Sequence, residues 1–168
     1  TPYGLTVSAD GALWVSDHGN NRVLKIPSAY NAPNGAAATV AIGQGDLTST
    51  AATTSATGLQ SPVGLFVDAA GNLWVADNGN NRVLRYANTS ALVTGNAASQ
   101  VIGQSLLTLK EANRGAATPA ANSINSPYGL CANGTTLWIA DYGNHRILRF
   151  NNASSLGNGA AASGVLGQ

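Results

Sequence analysis

The chain has 168 residues, of which 44% are apolar and only 9% are charged, whereas ordinary soluble domains have roughly 25% charged residues. Eight Lys and Arg nearly balance seven Asp and Glu, so there is no excess positive charge for a phosphate backbone, which argues against nucleic acid as a partner. No apolar run approaches the roughly 18 residues that cross a bilayer, so the sequence predicts no membrane association.

The chain aligns with itself three times, and each copy carries the same motifs in the same order. These are a Pro-x-Gly-Leu segment, a Leu-Trp-Val or Leu-Trp-Ile run, an Asp-x-Gly-Asn turn and a closing Gly-Gln pair. The copies begin near Pro2, Pro62 and Pro127, and the last of them closes on Gly167 and Gln168. Many matches in a fixed order indicate a repeat architecture.

Each copy predicts four short strands separated by turn residues. Strand A follows the proline and ends in a tight turn, strand B is the Leu-Trp run, strand C follows the Asp-x-Gly-Asn turn, and strand D leads to Gly-Gln. The predicted turns after strand A are residues 9–11, 70–72 and 133–135, and strand C is predicted near 22–27, 82–87 and 146–151.

We predict an all-β fold in which each copy is one blade of a β-propeller, because tandem four-stranded sheets with two apolar faces can bury those faces only against their neighbours. A β-solenoid and a β-sandwich are the minor alternatives. The predicted organisation is a single propeller segment over 1–168, with blades at 1–44, 61–104 and 126–168 and linkers at 45–60 and 105–125.

The two linkers share an apolar residue near each end, which predicts loops held at two points. These residues are Leu47 and Leu59 in the first linker and Leu107 and Ile124 in the second.

Residues 72–86, NLWVADNGNNRVLRY, resemble the NHL repeat, as do the preceding SPVGL at 61–65 and the His at position 145. The resemblance extends over all three copies and leaves out the linkers. It implies a β-propeller. It leaves function open, because propellers of this family include lyases, protein-interaction modules and RNA-binding domains.

Each copy has an Asp five residues before an Arg, across the turn between strands B and C. Opposite charges at this spacing can approach each other, and the Asp can also accept bonds from the amides of its own turn. Because the pattern occurs in every copy, we interpret it as structural, and we interpret the Trp of strand B as inter-blade core. These positions are Asp17, Asp77, Asp141, Arg22, Arg82, Arg146, Trp14, Trp74 and Trp138.

Each Asp-x-Gly-Asn turn has one carboxylate and lacks the later Glu of a calcium loop, which favours an Asx-type turn over a cation site. His, Cys and Asp residues show no ligand spacing, and no nucleophile motif is present. The sequence therefore predicts no metal, no cofactor and no enzymatic activity.

One end of the propeller collects the Pro-x-Gly-Leu segments, the Asp-x-Gly-Asn turns and the linkers, because strand A starts there and strand B ends there. The copies differ at two positions on this end, which is compatible with a ligand surface or with drift at unconstrained positions. The candidate binding residues are Tyr3, His18, Asn78, Tyr128 and Tyr142.

The leading hypothesis is a non-enzymatic scaffold for self-assembly and for protein or carbohydrate binding. The expected partner is a second copy, either as a homodimer that closes a six-bladed ring or as a head-to-tail fibre. An extracellular structural protein that polymerises, and a fragment of an NHL-type lyase or hydrolase, are the alternatives. Few charges and three glycosylation triplets, at Asn88, Asn133 and Asn152, favour a secreted protein.

Overall fold

The computed structural model describes residues 1–167, which form three four-stranded antiparallel sheets. Blade 1 contains β1 (Pro2–Val7), β2 (Leu13–Asp17), β3 (Arg22–Ile26) and β4 (Val40–Ile42). Blade 2 contains β5 (Pro62–Val67), β6 (Leu73–Asp77), β7 (Arg82–Tyr86) and β8 (Gln100–Ile102). Blade 3 contains β9 (Pro127–Asn133), β10 (Thr136–Asp141), β11 (Arg146–Phe150) and β12 (Gly164–Leu166). The predicted all-β fold is confirmed, and Gln168 lies outside the described residues.

Helical structure in residues 1–167 is limited to short 3-10 segments. They are His18–Asn20, Ala29–Asn31, Asn78–Asn80, Ala112–Gly115, Tyr142–Asn144 and Ala153–Ser155. Each blade has one after its second strand. Blades 1 and 3 have another after the third strand, where blade 2 has a turn, and Ala112–Gly115 lies in the second linker. The strands themselves follow chain order in every sheet, so each blade is a simple meander.

The innermost strands β1, β5 and β9 lie side by side around the propeller axis. They approach so closely that a Cβ on Gly4 would overlap the carbonyl oxygen of Val63, and one on Gly64 would overlap that of Tyr128. The Pro-x-Gly-Leu motif therefore has Gly at this position because neighbouring inner strands leave no room for a side chain.

Apolar side chains fill the spaces between blades, and each Trp of the second strand faces the following blade. Trp14 of blade 1 is fully buried in one cluster with Leu65 and Val75 of blade 2. Trp74 is 1% exposed in the equivalent cluster with Ile139 of blade 3. Trp138 departs from the prediction of a buried core residue: it is only half-buried, because no further blade covers it in residues 1–167.

The linkers pack into the spaces between blades. Leu59 and Ile124, near their C-terminal ends, are fully buried and belong to the two inter-blade clusters. Leu107 packs partly against the first cluster. The expectation for Leu47 is wrong, since its side chain is 41% exposed; the backbone carbonyl of Leu47 is held instead, by Arg22 Nη1 at 2.5 Å.

Candidate functional site

The Asp and Arg of each repeat form an ion pair beside the turn between the second and third strands. The distance from Arg Nε to Asp Oδ2 is 2.9 Å for Arg22 and Asp17. The distance is 2.7 Å in both other blades. The turn is a single 3-10 segment that ends on a left-handed residue, Asn21, Asn81 or His145. Asn tolerates this conformation better than most residues.

The Asp side chain accepts no bond from the backbone N–H groups of its own turn, which corrects the expected Asx-type turn. In blade 2, Asp77 accepts hydrogen bonds from Arg82 Nε at 2.7 Å, from Asn80 Nδ2 at 2.8 Å and from the backbone N–H of Gln60 at 2.7 Å. The turn's own amides make no bond to Asp77. The linker amide lies beside the carboxylate because Pro62, two residues after Gln60, pairs with Asp77 in the sheet.

Burial raises the pKa of Asp77, and the charge of Arg82 together with the hydrogen bonds from Gln60 and Asn80 opposes that rise. The other nitrogens of Arg82 donate to the linker: Nη2 lies 3.0 Å from the carbonyl oxygens of both Ser55 and Gly58. The pair therefore fastens a linker to its blade, which is a structural task.

Blade 3 repeats this arrangement, with Arg146 Nη2 donating to the carbonyl oxygens of Ala120 at 2.7 Å and Ser123 at 3.0 Å. The sequence contains no indication of which residue the Asn of this turn, Asn144, binds. Asn144 and Asn113 of the second linker exchange side-chain hydrogen bonds at 2.8 and 3.1 Å. An Asn inside a polar linker gives no signal of its own, so only the three-dimensional fold identifies this pair.

Four aromatic rings meet at the end of the propeller where the inner strands begin. The ring of His18 lies 4.7 Å from that of Tyr3, Tyr3 lies 6.3 Å from Tyr128, and Tyr128 lies 5.7 Å from Tyr142, measured between centroids. We call these four residues the aromatic row. It joins blade 1 to blade 3 across the axis, since Tyr3 and His18 belong to blade 1 and the others to blade 3.

Blade 2 contributes no ring to the row. Its residue at the first variable position, Val63, is buried, and Asn78 at the second donates from Nδ2 to the carbonyl oxygen of Pro127 at 3.1 Å. Asn78 thus supports the strand that carries Tyr128. All five candidate binding residues from the sequence lie at this end. Four of them form the aromatic row, in which each ring lies next to the following one.

The row is accessible to solvent. Tyr3 is 52% exposed, Tyr128 43% and Tyr142 66%, and His18 is half-buried. Partial desolvation and the neighbouring phenol of Tyr3 raise the pKa of Tyr128 above its ordinary value. Adjacent aromatic rings at 4.5 to 7 Å attract one another, which favours the observed arrangement of the row.

The other predicted sites are surface features. The triplet residues Asn88, Asn133 and Asn152 are all exposed.

The part of the chain that the structure describes contains no group of three or more His, Cys, Asp or Glu side chains placed to hold a metal ion. Among residues 1–167, no helix is both long and apolar enough to cross a membrane.

The tandem four-stranded sheets with their inner strands around one axis define the class: this is a β-propeller segment. Residues 59–86 match the family model of the NHL repeat. This match lies in blade 2 and confirms the NHL resemblance of that repeat.

Solved structures share this fold. A streptogramin B lyase is 19% identical with a TM-score of 0.54, over 89% of this chain and 37% of that one. Virginiamycin B lyase from Staphylococcus aureus is 22% identical with a TM-score of 0.50, over 90% and 38%. A protein of unknown function from Bacteroides caccae is 8% identical with a TM-score of 0.55, over 90% and 46%. No curated protein matches the chain.

The chain spans less than half the length of each of these structures. At such low identities the likeness concerns the fold. A shared fold does not determine function, which depends on the site that the fold carries.

Proposed function

We propose that this propeller segment is a non-enzymatic scaffold that binds a carbohydrate chain along the aromatic row. The observation that carries the proposal is the contact series from His18 through Tyr3 and Tyr128 to Tyr142. Four rings in series form an extended platform, which suits a ligand made of repeated rings.

The chemistry of the row matches that of a sugar. A pyranose presents an apolar C–H face and polar hydroxyl edges, and tyrosine likewise combines an apolar ring with a hydroxyl that donates and accepts hydrogen bonds. The chain is nearly neutral, at +1, which suits an uncharged ligand better than a nucleic acid, although bases also stack on aromatic rings.

The scaffold holds the platform in place. Tyr3 and Tyr128 lie on inner strands that each pack closely against β5 at a glycine, and His18 and Tyr142 follow the Asp residues of the ion pairs directly in sequence. A preformed surface loses little conformational entropy when a ligand binds. The exposed Asn88, Asn133 and Asn152 fit an extracellular protein, where glycans are abundant.

The test is titration with a panel of neutral hexasaccharides: β-1,4-glucan, chitin, xylan and α-1,4-glucan. Binding is followed by calorimetry and by the NMR signals of the tyrosine rings. We expect Tyr128→Ala to weaken binding by roughly tenfold, the effect of losing one stacked ring. Tyr30→Ala is the matched control, since Tyr30 is a tyrosine outside the row and 87% exposed.

The proposal fails if no hexasaccharide shifts the ring signals of the row at millimolar concentration. It also fails if Tyr30→Ala weakens binding as much as Tyr128→Ala does. A protein ligand would then be the remaining class for this surface, and peptide arrays would be the next probe.

A lyase activity is the second candidate. Two of the structural neighbours are lyases, and His18 stacks on Tyr3 in the row, where it could serve as a general acid or base. Incubation with a streptogramin B, followed by mass spectrometry, tests this candidate. Turnover that is lost in His18→Ala and kept in His145→Ala, the other His, would favour the lyase and overturn the non-enzymatic proposal.

A further inference from the structure

A cavity of about 310 Å³ lies between blades 2 and 3, at the end of the propeller opposite the aromatic row. Residues of the turns that follow β5 and β9 form its rim, and Trp74 and Leu137, each 1% exposed, lie at its base. Most of the lining is apolar. A volume at the lower end of the usual range for ligand pockets suits a small molecule or a single side chain. We call this space the inter-blade cavity.

In the space between blades 1 and 2, a lysine occupies the corresponding place. Lys25 Nζ lies 3.1 Å from Asp10 Oδ2 and 3.2 Å from the carbonyl oxygen of Thr89. It also lies 5.3 Å from the centroid of the Trp14 ring, and the Lys25 side chain is only 11% exposed. A carboxylate, a carbonyl and an aromatic ring thus surround a largely buried ammonium group, and each of them stabilises a cation.

The positions that surround Lys25 line the inter-blade cavity in the next pair of blades. Three equivalents can be read from the repeat: Ala70 for Asp10, Ala153 for Thr89, and Trp74 for Trp14. The inter-blade cavity therefore lies where a lysine ammonium is held one blade earlier.

Two differences between the repeats leave this space open. Arg85 stands at the position of Lys25, but its Nε donates to Gln100 Oε1 at 2.7 Å and its Nη1 to Asn72 Oδ1 at 3.2 Å. These bonds hold the guanidinium outside the cavity. In addition, Ala132 replaces Val67, which packs against the core between blades 1 and 2. A diverted cation and a shorter side chain together account for the cavity.

A carboxylate remains in the cavity wall, at Asp68, where blade 1 has a serine. Its Oδ1 accepts from the N–H groups of Ala70 at 3.0 Å and Asn72 at 2.9 Å, and its Oδ2 accepts from Trp74 Nε1 at 2.8 Å. Asn72 Nδ2 also donates to Oδ2 at 2.9 Å. These bonds fix the position of the carboxylate without balancing its charge, since Asp68 forms no ion pair among residues 1–167.

We propose that the inter-blade cavity binds a primary alkylammonium group, carried by a free amine or by the lysine side chain of another protein. The ammonium lies beside the carboxylate of Asp68, and its alkyl chain lies against Ala132 and Leu137. The fixed negative charge selects a cation, and the apolar walls favour a short aliphatic chain. The carbonyl oxygen of Ala153 accepts from Gln100 Nε2 at 2.8 Å, and its second lone pair can accept from the ligand.

This site is independent of the carbohydrate proposal, because the two lie at opposite ends of the propeller. The probe is n-butylammonium chloride, which reproduces a lysine side chain, and binding is followed through the NMR signals of the indole N–H groups. We expect the Trp74 signal to shift and to saturate with a dissociation constant in the millimolar range, since so small a ligand makes few contacts. The Trp14 signal should stay in place, because Lys25 already fills its surroundings.

Two reference titrations separate charge from shape. Sodium chloride at equal ionic strength should not shift the Trp74 signal. The neutral molecule n-butanol, which has the same shape as n-butylammonium, should bind about tenfold more weakly, because it lacks the charge that Asp68 attracts.

Removal of the charge tests the role of Asp68. Asp68→Asn keeps an acceptor for the turn and should raise the dissociation constant of n-butylammonium about tenfold, with no change for n-butanol. Asp46→Asn is the matched control. Asp46 is an exposed carboxylate of the first linker that likewise accepts from N–H groups of its own turn, those of Thr48 at 2.7 Å and Ser49 at 2.6 Å. This variant should leave both affinities unchanged.

A second variant fills the cavity and keeps the charge. Ala132→Val introduces the side chain that blade 2 has at Val67, and it should weaken the binding of both n-butylammonium and n-butanol. Circular dichroism measures the folding of each variant. Where Asp68→Asn fails to fold, Ala132→Val decides, because it leaves the hydrogen bonds of the turn intact.

The absence of a saturable shift of the Trp74 signal with n-butylammonium would overturn the proposal. So would equal binding of n-butanol, or an affinity that folded Asp68→Asn and Ala132→Val leave unchanged. Cadaverine and a short peptide with one central lysine then identify the source of the ammonium. Tighter binding of cadaverine than of the peptide supports a free amine as the ligand, and tighter binding of the peptide supports a lysine side chain of a protein.

Discussion

Arg82 Nε lies 2.7 Å from Asp77 Oδ2, and neither side chain has any solvent exposure. A buried ion pair stabilises a fold only when the remaining donors and acceptors of both groups are satisfied. Here Gln60 and Asn80 complete the carboxylate, and backbone carbonyls of both linkers complete the guanidinium. The pair therefore connects blade 2 to both linkers.

Removal of Asp77 should be more damaging than removal of Asp17. Asp77→Ala leaves Arg82 as an unpaired buried charge and should lower the free energy of unfolding by about 3 to 5 kcal/mol. Asp17 and Arg22 are each 14% exposed, so water can replace the lost bonds and Asp17→Ala should cost about 1 kcal/mol. Urea denaturation with linear extrapolation measures both values. Equal losses, or a loss of sugar binding at unchanged stability, would contradict the structural role of these residues.

The ion pair of blade 1 should make stability depend on pH in the acid range. Burial acts to raise the pKa of Asp17, but hydrogen bonds from Asn20 and Arg22 outweigh it, so the pKa in the folded state is lower than the ordinary value of 3.8. The stabilisation is therefore present above the unfolded pKa and is lost as the pH falls through the lower folded value.

We expect the difference in melting temperature between the wild type and Asp17→Asn to be largest near neutral pH and to shrink as the pH falls below about 4. Thermal unfolding followed by circular dichroism between pH 7 and pH 2.5 gives this difference directly. A difference that stays constant or widens in acid would show that Asp17 is not held as a carboxylate in the folded state.

The sequence predicted the strands well because local signals determine them. Turn residues such as Gly71 separate apolar runs of the right length, and three copies of one pattern reduce the ambiguity of any single copy. Long-range contacts were less predictable. The amide that binds Asp77 comes from Gln60, 17 positions earlier, and no pattern within the turn indicates it.

The same difference between local signals and long-range contacts applies to the candidate site. Tyr3 and Tyr128 were identified as positions at which the copies differ, since scaffold positions are constrained by packing and these are not. Their ring contact joins blade 1 to blade 3 across the axis, so it depends on the angle between successive blades, which the sequence does not encode locally. For Leu47 the prediction was wrong. Its apolar side chain was expected to hold the linker by packing, whereas the structure holds the linker through the backbone carbonyl of Leu47.

The close approach of the inner strands predicts a strong effect of one methyl group. Gly64→Ala would place a Cβ against the carbonyl of Tyr128, and relief of that overlap requires the strands to move apart. We expect a loss of about 1 to 3 kcal/mol, the usual cost of overpacking, measured by urea denaturation. Gly157→Ala, at a position where a Cβ would meet nothing within 4 Å, is the control and should change stability by less than about 0.5 kcal/mol. Equal stability of the two variants would mean that the inner strands tolerate wider spacing.

The first linker should behave as part of the propeller core, and its two leucines provide a matched comparison. Leu59 is fully buried between blades 1 and 2 and lies against Gly43, so closely that a Cβ on Gly43 would overlap its side chain. Leu59→Ala leaves a cavity that the surrounding strands cannot collapse to fill, which should cost about 2 to 5 kcal/mol. Leu47 is 41% exposed, and its carbonyl, which Arg22 holds, is unchanged by substitution of the side chain. Leu47→Ala should therefore cost less than about 0.5 kcal/mol.

Urea denaturation of both variants, with limited proteolysis of the linker as a second measurement, tests the comparison. We expect Leu59→Ala alone to make residues 45–60 sensitive to protease, because the linker then loses its anchor while the hydrogen bonds of Arg22 and Arg82 remain. If both variants lost the same stability, or if neither did, the linker would be a tether rather than a packed element.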